Sequence, residues 1–117
     1  MTPASSADVQ WDLDRIETFK ILGTEFDVQA AKKLLSVTSR PVSYINTNSL
    51  LFISRWVSTF WRIKVKADLS VPIIMASIGG GYLPIDGWHR IHRAIDKKVE
   101  SIPCVFLTPD ETRKIQK

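Results

Sequence analysis

Three consecutive glycines, Gly79–Gly81, stand between the apolar run VPIIMASI and the segment YLPID. Glycine adopts positive φ without steric cost, so a glycine run between two β-prone segments predicts a tight hairpin. Pro72, near the start of the first run, suits the beginning of a strand. Glycine-rich loops cradle phosphate in other settings, but one that joins two strands reads as a turn. After it, WHRIHRAIDKK has helical spacing and SIPCVFL is another apolar strand. TPDETRKIQK then opens with Thr108 at the N-cap, Pro109 at N1 and Glu111 at N3, a capping box. Asp110 and Glu111 are accounted for by that helix start and are assigned no catalysis. Strand, turn, strand, helix, strand, helix predicts an α+β (α/β) domain, a small mixed sheet with packed helices.

The other half is less regular. VQWDLDRI alternates Val9, Trp11 and Leu13 with polar residues and is expected as a strand, though its aspartates oppose one. After Gly23, DVQAAKKLLS reads as a helix with Asp27 as N-cap and Val28, Ala31, Leu34 and Leu35 on one face. PVSYI is expected as a short strand, and Asn48 as the N-cap of a helix over SLLFISRWVSTFW. A chain of 117 residues has room for one core and not two. We therefore expect residues 1–8, small and polar, to be a flexible tail, and residues 9–117 a single domain.

Composition removes several function classes. Hydrophobic residues at 44% with 24% charged residues describe a folded rather than a disordered chain. The only cysteine, Cys104, excludes an internal disulfide and a CxxC zinc site, and its apolar neighbours predict a buried, inert thiol. MTPASSADVQ lacks the basic start and apolar core of a signal peptide, and no apolar run approaches the ~20 residues of a membrane span, so a cytoplasmic location with no membrane partner is expected. The net charge of +4 fits a phosphate-bearing partner but does not select one. In RIKVKADL, Arg62, Lys64 and Lys66 alternate with Ile63, Val65 and Ala67, which predicts a strand with a basic face. It reads either as a solvated edge that discourages pairing or as a DNA- or RNA-binding stripe with Trp56 and Trp61 as stacking surfaces.

The junction PIDGWHR, residues 84–90, concentrates the chemistry. At about 100° per residue, Trp88, Ile91, Ala94 and Ile95 share one side of the helix, and His89, Arg90 and Arg93 share the other. Those cations lie at the helix N-terminus, where unpaired N–H groups favour an anion, and Gly87 would let a ligand approach them. His92 falls at the apolar margin and is expected to be packed. Periodicity weighs equally for a solvated helix face with Asp86 as an ordinary cap.

PIIMASIGGGYLPIDGWHRIHRAIDKKVESIPCVFL, within residues 71–113, resembles the ParB/sulfiredoxin superfamily, in which a strand leads through a [DG]-G-x-H-R turn into a basic helix and then an IPCV-like strand. The resemblance implies nucleotide phosphates, from ATP or CTP with Mg²⁺, bound at this turn. Gly87, His89 and Arg90 would hold phosphate, Trp88 and Arg93 would flank them, and Asp86 would act as a metal-water ligand or base beside His89. Trp88 stands where sulfiredoxin has its cysteine, so sulfinic-acid reduction is not expected. The resemblance also stops short of the helix-turn-helix and dimerisation domain of ParB. For serine-kinase chemistry, that superfamily uses an upstream carboxylate, for which Glu17, Glu25 and Asp27 are candidates.

Two classes of function follow. One is an NTPase or phosphotransferase, with catalysis mainly by positioning and electrostatics. The other is a non-catalytic module binding nucleic acid or a protein. A ParB-like nuclease is third, because no second carboxylate cluster for metal is evident near the motif.

Overall fold

Backbone pairing around the glycine hairpin organises the molecule. The computed structural model describes residues 4–21, 23–51 and 69–117. Four strands, β3 (Ser43–Asn46), β4 (Ile73–Ile78), β5 (Gly81–Asp86) and β6 (Ser101–Phe106), form one sheet in the order β3-β6-β4-β5. β4 and β5 are antiparallel, joined through Gly79 and Gly80 at φ +56° and +81°. The expected hairpin is present. β6 runs parallel to β4 and antiparallel to β3, so the sheet is mixed.

Alternation along β4 divides the core. Ile74 and Ala76 face helices α1 (Val28–Val37) and α3 (Pro109–Ile115), packing with Ala31, Leu35 and Ile115. Ile73 and Met75 face helix α2 (Trp88–Asp96), packing with Trp88, Ile91 and Ala94. Helices therefore cover both faces of a small α+β domain, and the mixed sheet with packed helices is the class expected. Cys104 is fully buried and its thiol is pushed up to about 11 by desolvation, the inert state expected.

Helix starts explain much of the local structure. Asp27 caps α1, its Oδ1 accepting from Ala30 N–H at 3.0 Å. At α3, Thr108 Oγ1 accepts from Glu111 N–H at 3.2 Å and Glu111 Oε1 accepts from Thr108 N–H at 2.9 Å, completing the capping box. The same carboxylate receives two bonds from Arg40, at 2.7 and 2.6 Å, and Arg40 Nη1 also donates to the Phe106 carbonyl at 2.8 Å. This clamp ties the segment after α1 to β6 and α3. It holds the Glu111 carboxyl down at about 2, first through the Arg40 hydrogen bonds, against the opposing effect of burial.

Several expectations are corrected. VQWDLDRI forms no strand: Ser6–Asp8 make a 3₁₀ turn, and the Trp11 indole donates to the Ser6 carbonyl at 2.9 Å, so local bonds replace a ladder. An unforeseen hairpin follows instead, β1 (Thr18–Ile21) with β2 (Thr24–Asp27), turning near Gly23 at φ +80°. The tail does not extend over the described residues from 4 onward. Ser5 bridges Pro41, and Ser6, fully buried, donates its N–H to the Arg40 carbonyl at 2.9 Å and its hydroxyl to the Thr38 carbonyl at 2.6 Å. Asn46 rather than Asn48 caps the turn before Leu51, its Oδ1 accepting from Asn48 N–H at 2.8 Å. The rest of the helix expected there, Trp56, Trp61, and the basic strand with Arg62, Lys64 and Lys66 lie outside the described residues. No helix among the described residues is long and apolar enough to cross a membrane.

Candidate functional site at the β5–α2 turn

Gly87 shapes the turn. It is the N-cap of α2 at φ +95°, in the left-handed region that favours glycine. A Cβ there would lie 2.5 Å from Ile73 Cγ2 and 2.9 Å from Arg90 Nη2. The residue thus accommodates β4 and the arginine as well as the backbone twist. Without a capping side chain, α2 begins with no side-chain bond to its first N–H groups, whereas α1 and α3 are both capped. The cap expected of Asp86 is replaced by Gly87, because Asp86 ends β5 with its carboxylate committed to other partners.

The cationic face predicted for α2 divides in two. His89 and Arg93 are exposed. Arg90 instead turns back across Gly87, its Nη2 donating to the Pro72 carbonyl at 3.1 Å and to Asp86 Oδ2 at 3.3 Å. It braces strand β4 to the turn, which periodicity could not show because the side chain is long enough to leave its own face. Arg90 Nε is buried with no hydrogen-bond partner among the described residues. Trp88 belongs to the core: it is 6% exposed, and its ring is stacked on Phe19 at 5.8 Å. Its backbone lies at the turn, but its indole does not offer a ligand surface. His92 is half-buried beside it, as expected.

Two further residues complete the site. The Glu17 carbonyl accepts from the N–H groups of Val28 and Gln29 at 3.0 and 3.3 Å, which anchors Glu17 at the start of α1. One turn along α1, Lys32 Nζ donates to Glu17 Oε2 and lies 3.9 Å from Asp86 Oδ2. Arg15 Nε approaches Glu17 Oε1 at 3.8 Å from the exposed rim. Charges therefore alternate along Arg15, Glu17, Lys32, Asp86 and Arg90. The Lys32 side chain is only 10% exposed, and an ammonium so enclosed requires anionic partners.

Of the three upstream carboxylates, the structure brings Glu17 to the turn. Asp27 is occupied as a cap, and Glu25 lies on β2 paired across from Lys20. Lys32 escaped sequence reasoning although a signal exists. It follows Val28 by four residues and so sits on the buried stripe of α1, where a lysine implies a buried carboxylate.

The arrangement offers two oxygen anions, an enclosed ammonium, a guanidinium and uncapped helix N–H groups around one turn. Among the described residues, no three His, Cys, Asp or Glu side chains gather to hold a metal ion. A cavity of about 440 Å³, lined by Thr47, Ala94, Ile95 and Val99 among others, lies toward the other end of α2 and is separate from this chemistry. No family model, curated protein or solved structure matches the chain.

Proposed function

We propose that the chain binds a nucleoside triphosphate, ATP or CTP, with its phosphates at the Asp86–Arg90 turn, as a ParB/sulfiredoxin-like NTPase or phosphotransferase. The observation that carries this reading is the uncapped N-terminus of α2 set against the Glu17–Lys32–Asp86–Arg90 cluster. First-turn N–H groups donate to an anion, and the exposed His89 and Arg93 supply cations toward solvent. Arg90 orients Asp86 and neutralises charge from beneath the turn.

The donor set fits Mg²⁺, a hard cation commonly held by one or two carboxylates and the substrate's own phosphates. Asp86 and Glu17 would hold it. When bound, it offsets phosphate charge and polarises the transferred group. The carboxylate less engaged in that role would accept a proton from an attacking hydroxyl or water, with His89 as an alternative acceptor.

Thermal unfolding with each triphosphate and Mg²⁺ tests the reading. At ~100 times its Kd the correct ligand adds about 2.7 kcal/mol of stability. His89→Ala and Arg93→Ala, both on the exposed side, should keep the apo melting temperature and each lose about 1.5–3 kcal/mol of triphosphate binding, the scale of a charge-assisted hydrogen bond. The absence of stabilisation by any triphosphate at millimolar concentration would refute the proposal.

A further inference from the structure

Lys32 sits between Glu17 and Asp86, the two carboxylates proposed above to hold Mg²⁺. Its ammonium donates to Glu17 Oε2 and stands 3.9 Å from Asp86 Oδ2, while the same Asp86 oxygen is 3.3 Å from Arg90 Nη2. Neighbouring Ala31 and nearby Leu35 are fully buried, so the lysine stem runs along the core rather than out to water. Two carboxylates and two cations make this enclosed group formally neutral.

We propose that Lys32 is an internal counter-cation that keeps the Glu17–Asp86 pair closed to divalent metal until a phosphate ligand draws the ammonium away. Metal and phosphate then bind together rather than separately. The coupling rests on the phosphate reading above; the exclusion of metal by the ammonium stands without it.

Charge and coordination both support the lock. A divalent ion entering without phosphate would bring the enclosed group to a formal charge of about +2 beside the ammonium, or about +1 if it expelled the ammonium, which a poorly solvated site resists. An ion arriving with phosphate brings compensating anions. The two carboxylates are also too few for a dedicated site, since hard cations take six or more oxygen ligands, and no third acid joins them among the described residues. Lysine suits the exchange, because its compact ammonium rides on a flexible stem and can follow the stronger anion.

Mn²⁺ binding, followed by the loss of its free-ion electron paramagnetic resonance signal, tests this directly. Lys32→Met should bind Mn²⁺ at least about tenfold more tightly than wild type without any phosphate. Glu17→Gln added to Lys32→Met should abolish the gain. Lys32→Gln retains a hydrogen-bond donor to Glu17 without the charge, and should show the same gain if the methionine variant does not fold. In wild type, inorganic phosphate should strengthen Mn²⁺ binding beyond its own chelation of the ion. Unchanged Mn²⁺ affinity in the folded variants overturns the lock. A gain in the variants with no effect of phosphate on wild type upholds the lock and overturns the phosphate reading.

Discussion

The N-termini of α3 and α2 solve the same problem in opposite ways. At α3, Thr108 and Glu111 satisfy each other's backbone N–H groups, and Arg40 grips the Glu111 carboxylate from across the fold. At α2, the N-cap is a glycine with no side chain, and the nearby acid, Asp86, faces Lys32 and Arg90 instead. One helix start is closed by its own sequence; the other leaves its N–H groups without a side-chain cap and surrounds them with charge. A fold built only for stability gains from the first arrangement. The second leaves its first-turn N–H groups without a side-chain partner, and the anion site proposed above rests on that difference.

The contrast can be broken most forcefully at Gly87. Gly87→Ala must place a Cβ 2.5 Å from Ile73 Cγ2 at φ +95°. Overpacking and left-handed strain together should cost about 2–5 kcal/mol, read by chemical denaturation. A loss below about 1 kcal/mol would mean that Ile73 and Arg90 yield to a Cβ and that stability does not require the glycine.

Next in size is the Arg40–Glu111 clamp. Glu111→Gln keeps one acceptor but removes the charge, and should lose about 1.5–3 kcal/mol at neutral pH. Because the folded-state carboxyl is depressed to about 2, its contribution is complete above the unfolded value near 4.5 and is lost as pH falls toward 2. Wild type should therefore lose stability across that window more steeply than Glu111→Gln. Parallel profiles for the two proteins would remove the clamp from the account.

Thr108→Ala is the smallest step. It removes the Oγ1 acceptor of the capping box and should cost about 1 kcal/mol in the same assay, with the proposed triphosphate binding at the other helix unchanged. If binding falls with it, the two helix starts are coupled and the division between a stabilising end and a binding end fails.

The parts of this protein that were legible in advance are those whose partners are near in sequence. Gly79 and Gly80 sit between the strands they join, Asp27 accepts from the helix N–H three residues on, and Thr108 and Glu111 satisfy each other across one turn. The β1–β2 hairpin was missed although Gly23 divides TFKI from TEFD, because neither segment is apolar enough to announce a strand. Arg90 was placed on the right helix and the wrong surface.

By itself, the sequence determined the element order from residue 71 onward, the mixed-sheet class, the local helix caps and the conspicuous turn at residues 84–90, since backbone sterics and helix termini act over a few residues. Tertiary structure alone decided which charges distant in sequence meet. Glu17 and Asp86 lie far apart along the chain, and only the docking of α1 against the β5 end of the sheet places Lys32 between them. The same holds for Arg40 reaching Glu111. An enclosed ion selects its partners by distance and desolvation in the folded molecule, and neither quantity exists until the core has formed.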